Sequence, residues 1–232
     1  MYGAMILAAG RGDRMRPLSD AMPKTLLPAG GRPLIAWQIE ALARAGFRDI
    51  VINAAWLAPQ LVEAVGDGDT FGVRIRWSIE PEPLESAGGI ATALPLLPAG
   101  PALIVSGDVW TQFDYGNLAA RAEAMARSSG PPRVHLVMVP NPDFHPDGDF
   151  VLDGGRLALD GKRKLTFGNI GLYDTALFRE LPRGVKLKLL PLYRDWIARG
   201  WVSGERFDGP WVNVGTPSDL EALDQRLADL RL

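Results

Sequence analysis

The sequence predicts an α/β fold: a Rossmann-like, mostly parallel sheet with helices on both faces and a smaller antiparallel part towards the C-terminus. Three observations predict it. Short apolar runs alternate with helix-period segments as far as Val139. These β–α units have lengths that suit right-handed crossovers between parallel strands. After Pro140 the pattern changes to short runs separated by Gly-Gly and Asp-Gly, the marks of hairpins.

The elements follow in order. Ala4–Ala9 reads as a fully buried strand. Pro33–Gly46 reads as a helix, with Pro33 at its start, Ile35, Ile39 and Leu42 at helical spacing, and Gly46 as a stop. Asp49–Ala54 is the next strand, followed by a helix over Ala58–Val65. Val73–Ile79 alternates apolar and charged residues, as a strand near a sheet edge does. A short helix is expected after Gly89, then the strand Ala102–Asp108, a helix over Asn117–Arg127 and a strand over Arg133–Val139. Beyond Pro140, "GDFVLDGGRLALDGKRKLTFGNIGLYD" reads as hairpins, Leu189–Arg199 as a helix and "WVSGERFDGPWVNVGT" as two strands. In the final helix, "TPSDLEALDQRLADL", Thr216 is placed to cap, Pro217 sits in the first turn and Asp219 complements the helix dipole. Repeats and long linkers are absent from the sequence. The expected organisation is one domain over 1–232, with a first part over 1–140 and a second over 141–232.

At 232 residues the chain can bury a substantial core. Its net charge of −2 carries no broad basic footprint, so no nucleic-acid partner is expected. The absence of cysteine excludes disulfides, thiolate zinc sites and cysteine nucleophiles. The apolar run at Met5–Ala9 is too short for a secretory signal, and no stretch approaches the roughly 20 residues of a membrane span. A cytoplasmic chain with no membrane contact and no obligate protein partner is the expectation.

Against that near-neutral background, "MILAAGRGDRMRPLSDAMPKTLLP" gathers four cations, Arg11, Arg14, Arg16 and Lys24, just after the first strand. A local cluster points to a small anion. Gly10 and Gly12 leave the backbone bare, so main-chain N–H groups can approach phosphate oxygens. Arg14 and Lys24 add charge, and an Arg grips phosphate at two points. A dinucleotide-binding G-x-G-x-x-G fails at Met15, and a P-loop fails because Lys24-Thr25 follows Pro23 instead of glycine. A simple turn with solvated arginines is the competing reading of the same residues. Asp108, after an apolar strand and Gly107, suits either a cap or a metal carboxylate at the carboxyl ends of the strands. His135 reads as a packed core residue. His145, in "NPDFHPDGD", reads as a solvated loop histidine, with substrate contact as the alternative. Trp110 and Trp211 stand beside candidate site residues.

Taken together, the glycine-cation loop, Lys24 in "PKTLLP", "GD" after a later strand and "WVNVGTPSDL" resemble the sugar-1-phosphate nucleotidyltransferases over nearly the whole chain. "LAAGRGDRMRPL" is similar to that family's signature L-A-A/G-G-x-G-x-R-[ML]-x-P-[LM], which is followed by P-K-x-L. "INAAWL", "PLESAGGI", "GDVWT", "NPDFHPDGDF" and "KLKLLPLYR" are most similar to the bacterial branch that uridylylates N-acetylmuramate 1-phosphate in cell-wall (peptidoglycan) recycling.

The resemblance implies a nucleotide-diphospho-sugar transferase-like fold, with 1–140 holding the nucleotide and 141–232 the sugar. It implies UTP and N-acetylmuramic acid 1-phosphate as substrates, UDP-N-acetylmuramic acid and pyrophosphate as products, and Mg²⁺ as the cofactor. It assigns the nucleotide to Leu7, Ala8, Ala9, Gly10, Gly12, Arg14, Lys24, Glu80, Ser86 and Gly88, with Arg14, Lys24 and Asp108 as the catalytic set. Asp108, Asn169 and Lys188 fall on the sugar-phosphate side, and Asp108 with Asn213 on the metal. Many relatives carry Asp where this chain has Asn213. Two alternatives stand beside this reading: a mannose- or glucose-1-phosphate nucleotidyltransferase using GTP or another NTP, and a non-catalytic nucleotide-binding homologue.

Overall fold

A computed structural model describes residues 2–128 and 130–229. Nine strands form one sheet: β1 (Gly3–Leu7), β2 (Asp49–Ala54), β3 (Arg74–Ile79), β4 (Pro101–Ser106), β6 (Val134–Val139), β7 (Phe150–Asp153), β8 (Arg156–Ala158), β9 (Lys164–Asp174) and β10 (Val202–Arg206). Two short strands, β5 (Val109–Thr111) and β11 (Trp211–Asn213), pair with each other outside it. The helices of eight or more residues are α1 (Leu34–Arg44), α2 (Ala58–Val65), α3 (Glu85–Ala93), α4 (Ala119–Arg127), α5 (Leu190–Ala198) and α6 (Pro217–Asp229). The expected final helix is therefore present, although its last residue, Leu230, lies outside the described residues.

The strand order is β3-β2-β1-β4-β9-β6-β10-β8-β7. The first four strands are parallel, and β3 lies at the sheet edge, as its alternating sequence predicts. From β9 onward the sheet is mixed: β9 runs antiparallel to both β4 and β6, while β10 runs parallel to β6. Strand β9 comes from the second part of the chain but lies between β4 and β6 of the first. Residue 140 thus marks a change of sequence character and not a seam in the sheet. The Gly154-Gly155 turn makes the expected hairpin of β7 and β8. Asp160-Gly161 does not make a second one, because β9 pairs with β7 on the other side of that hairpin.

Strands with both faces covered read as continuous apolar runs, and this sheet is covered on both. Ile6, Ile52 and Val105 face α1, α2 and α4 through Ile39, Leu61 and Ala122. Met5, Val51 and Ile104 face α3 and α5 through Ile90 and Trp196. A third cluster joins the chain's two ends: Met15, Leu27 and Leu34 pack with Trp110, Val214 and Leu223. There the Gly30 N–H donates to Asp224 Oδ1 at 2.7 Å, tying the segment after Lys24 to α6.

Helix α3 starts four residues before Gly89, ahead of the sequence expectation. The reason lies in a segment distant in sequence. The carbonyl of Leu187 accepts the N–H groups of Ala87 and Gly88 at 3.0 and 3.2 Å, satisfying donors that a helix start leaves open. A Cβ at Gly88 would fall 2.1 Å from the Val185 carbonyl oxygen, so only glycine admits this segment. At the other end, α6 is capped as expected. Thr216 Oγ1 accepts the Asp219 N–H at 3.3 Å, and Asp219 Oδ2 accepts from Gly215 N, Thr216 N and Thr216 Oγ1 at 2.8–3.0 Å.

Candidate active site

Strand order reverses at β1, because β2 and β3 lie to one side and β4 to the other. The carboxyl ends of strands at such a switch point form a crevice. Leu7 is flanked there by Asn53 and Ser106, and a cavity of about 480 Å³ opens above them. Leu7, Ala8, Ala9 and Gly10 form its floor, with Lys24 and Asp108 on one side and Ser86 on the other. Seven of the residues singled out in the sequence therefore meet in one place.

Lys24 Nζ and Asp108 Oδ2 are 2.6 Å apart, and only 11% and 26% of their side chains are exposed. Gly10 has open space where a Cβ would stand, so its backbone is accessible to a ligand. Thr25 Oγ1, also on the wall, is buried without a hydrogen-bond partner among the described residues. Bare backbone, a lysine and a carboxylate at strand ends suit a polyphosphate and its counter-cation.

Asp108 also marks the border with a second cavity of about 290 Å³. Val214 N–H donates to the Asp108 carbonyl at 2.9 Å, and Asn213 pairs with Val109. Asn213 lines the second cavity. Its Oδ1 is buried with no partner among the described residues. Phe150, Phe167, Tyr193 and Trp211 supply aromatic walls to this cavity. Asn169 reaches it through an irregularity in β9: the register shifts between Phe167 and Gly171, and Asn169 takes φ of 58°. Asn tolerates that left-handed conformation better than most residues, and a bulge re-aims side chains. Trp211 Nε1–H pins the bulge by donating to the Gly168 carbonyl at 2.9 Å.

Five expected site residues, Glu80, Gly88, Lys188, Arg14 and Gly12, line neither cavity. Glu80 is buried behind the first cavity, where Asn53 Nδ2 and the Leu84 N–H donate to its two oxygens at 2.7 and 3.1 Å. Burial pushes its carboxyl up, against the downward pull of those two hydrogen bonds. It braces Asn53, whose Oδ1 in turn holds the Ala8 N–H at 2.9 Å. Gly88 serves the close approach of Val185 described above and does not line the cavity. Lys188 is exposed and lines neither cavity. Arg14 is exposed, with its guanidinium against Gly215, two residues from Asn213, and outside the walls of both cavities. Gly12 supports the loop from beneath: at φ 71° its carbonyl accepts the Ser19 hydroxyl at 2.7 Å.

Other residues join the first cavity without having been singled out for it. Arg11 lies 4.4 Å over the Trp56 ring and 3.6 Å from Asp13. Lys186 is held by Glu82 at 2.5 Å. Glu85 takes φ of 62° at the cavity wall, a conformation uncommon outside glycine. The signal for Arg11 was present, since it belongs to the cation cluster. Nothing local distinguishes Lys186 from Lys188. Of the two tryptophans beside site residues, Trp211 lines a cavity and Trp110 is buried in the third cluster. His135 is a core residue, as expected, between Ser203 Oγ at 2.8 Å and Glu205 Oε1 at 3.1 Å.

Among the described residues no helix is long and apolar enough to cross a membrane. No cluster of three or more His, Asp or Glu is present among them either.

Comparison with known proteins agrees with this geometry. Residues 3–143 match the nucleotidyl transferase family. The chain is 47% identical, over 94% of its length and 95% of the relative's, to an N-acetylmuramate alpha-1-phosphate uridylyltransferase of Neisseria meningitidis. It is 31% identical to a protein of the same name from Caulobacter vibrioides, over 97% of each chain. A crystal structure of a putative glucose-1-phosphate thymidylyltransferase from Bacillus anthracis superposes with a TM-score of 0.83 at 20% identity, covering 98% of this chain and 95% of that one. That last likeness establishes the fold alone. With the family signature at the strand ends and near full-length relatives in two bacteria, the chain belongs to the nucleotidyl transferase family and is an enzyme of it.

Proposed function

We propose that this enzyme transfers the uridylyl group of UTP to N-acetylmuramic acid 1-phosphate, giving UDP-N-acetylmuramic acid and pyrophosphate, as a step in peptidoglycan recycling. The observation that carries the proposal is the 47% identity to the Neisseria uridylyltransferase across both chains' lengths. The geometry supports it with one cavity suited to a polyanion and a second, aromatic-walled cavity across Asp108 and Asn213. A sugar ring presents apolar faces that such walls cover.

On this reading the sugar phosphate's oxygen attacks the α-phosphorus of UTP in line, and pyrophosphate leaves. A phosphate monoester has a second pKa of about 6, so the nucleophile is ionised near neutral pH without a general base. The protein's task is to align two anions and offset their repulsion. Lys24, held by Asp108, faces both phosphates. Ala9 and Gly10 offer backbone to the nucleotide, and Arg11 on the cavity wall faces the departing pyrophosphate. Ser86 and the start of α3 border the nucleoside. Asn169 and Trp211 border the sugar.

The residues present fit Mg²⁺. Asp108 offers a carboxylate, and the orphaned Asn213 Oδ1 offers the carbonyl oxygen a hard cation accepts. A metal held by few protein ligands takes the rest from water and phosphate oxygens, in keeping with the absence of a carboxylate cluster among the described residues. When bound, Mg²⁺ would neutralise charge on the nucleotide's phosphates.

Pyrophosphate release, measured for four NTPs against the 1-phosphates of N-acetylmuramate, glucosamine, glucose and mannose, tests the proposal. UTP with the muramate should give the highest kcat/KM. Faster turnover with mannose 1-phosphate, or with GTP, would replace it by the corresponding guanylyltransferase reading.

A further inference from the structure

We propose that His145, oriented by Asp149, selects the muramate by pairing with its lactyl carboxylate; this rests on the second cavity being the sugar site. N-acetylmuramic acid differs from N-acetylglucosamine by a lactyl ether, which adds one carboxylate. A carboxylate taken into an aromatic-walled cavity without a cationic or hydrogen-bonding partner is strongly disfavoured. Among the residues lining the cavity, His145 alone can carry positive charge and Asp149 alone carries negative charge. Lys186 lines the other cavity and Lys188 lines neither.

The ring is held for this task. His145 Nε2 stands 3.1 Å from Asp149 Oδ1, and the other carboxylate oxygen accepts the Phe167 N–H at 2.8 Å. Asp149 is thereby fastened to β9, and it fixes the tilt of the imidazole. A carboxylate only accepts, so Nε2 carries the proton that Asp149 takes; Nδ1 is an acceptor in the neutral ring and becomes a donor to a ligand when the ring takes a second proton. Doubly protonated, the ring bridges two carboxylates, Asp149 on one side and the lactyl group on the other.

The loop itself is stapled from within. Asn141 Nδ2 donates to the carbonyls of Pro146 and Lys164 at 2.8 and 3.1 Å, while its Oδ1 accepts the Thr166 hydroxyl at 3.0 Å. Gly148, at φ 63°, leaves the space that Asn141 fills: a Cβ there would stand 2.7 Å from Asn141 Oδ1. His145 thus sits on a preorganised loop, and 38% of its side chain is exposed at the cavity mouth.

Calorimetric titration tests this. The protein is first saturated with a UTP analogue whose α–β bridge cannot be cleaved. N-acetylmuramic acid 1-phosphate and N-acetylglucosamine 1-phosphate are then titrated into wild type, His145→Gln and His145→Ala. Wild type should bind the muramate more tightly. Both variants should lose about 10- to 100-fold in muramate affinity, the scale of one charge-assisted pair, with affinity for the glucosamine compound within about twofold of wild type. Unchanged glucosamine binding also shows that the variants are folded. If both sugars weaken equally, His145 merely holds the loop and the inference fails. If the variants keep the muramate preference, the inference fails while the proposed function stands. If wild type itself prefers the glucosamine compound, the proposed function fails too.

Discussion

The two cavities solve different problems with different material. The first is built on the ends of parallel strands, from bare backbone, a lysine and an aspartate whose side chains bond at 2.6 Å. The second is built on a bulged antiparallel strand, from aromatic rings and neutral amides, with one histidine-aspartate pair. The contrast teaches a division of labour. Charge handling is placed where the fold already concentrates loops and N–H groups. On the function proposed above, recognition of the sugar falls where a strand irregularity can re-aim individual side chains.

The strongest way to break this comparison is at its border. Asp108→Asn should lower kcat by two to three orders of magnitude, or about 2.7–4 kcal/mol of barrier at about 1.36 kcal/mol per tenfold. The melting temperature should barely move, because Asn keeps an acceptor for Lys24. Near wild-type turnover at saturating Mg²⁺ would remove Asp108 from the chemistry.

Glu80→Ala tests the brace behind the first cavity. It leaves two buried donors, Asn53 Nδ2 and the Leu84 N–H, without their acceptors, at about 1–3 kcal/mol each, partly offset by removing a buried carboxyl. A net loss of about 2 kcal/mol corresponds to a thermal midpoint lower by roughly 4–8 °C. The pH dependence has a definite sign. Burial raises the Glu80 carboxyl above its unfolded value. Its contribution is therefore fully present below the ordinary carboxylate range and lost as pH rises through the folded value. The Ala variant should lack that segment of the stability curve, which thermal melts at several pH values will show.

Trp211→Phe sharpens the other side. It removes the bond to the Gly168 carbonyl and loosens the bulge that presents Asn169. The KM for the sugar phosphate should rise about fivefold, roughly 1 kcal/mol, with the KM for UTP unchanged. Equal changes in both KM values would mean that the cavities are not energetically separate.

The smallest effect lies away from both cavities. Burial holds the His135 ring below its ordinary range, outweighing the upward pull of Glu205. Its contribution to stability is present above the unfolded value, about 6.5, and lost as pH falls through the folded one. Between pH 7 and 5, His135→Gln should therefore lose less stability than wild type in chemical denaturation at each pH, with kinetics at neutral pH unchanged.

How much of this was legible in the sequence follows from how local each feature is. The floor of the first cavity lies in one stretch, Leu7–Gly10, with Lys24 close behind, so motif spacing reveals it. The strands β1 to β4 carry apolar runs whose burial needs no knowledge of partners. Strand β9 is equally clear as a strand, but its place between β4 and β6 depends on pairings from across the chain. Glu80 and Lys188 mislead for a related reason. Whether a carboxylate faces a ligand or an asparagine is decided by Asn53, which stands on another strand. Which of Lys186 and Lys188 lines a cavity is decided by Leu187, whose backbone bonds to α3. The second cavity was least legible, since its walls come from four separated segments and its key conformation is a register shift.

The insertion of β9 between β4 and β6 also has a consequence for how the enzyme comes into being on the ribosome. When Val139 has emerged, Lys24 and Asp108 already exist, yet β6 has no neighbour to pair with, and Asn213 has not been made. The sheet closes only after β9 and β10 arrive, and the β5–β11 pair that sets Asn213 beside Asp108 forms later still. Catalytic competence is thus among the last properties the growing chain acquires. A nascent or broken chain that already carries Gly10, Lys24 and Asp108 lacks the partner strand that sets Asn213 beside them.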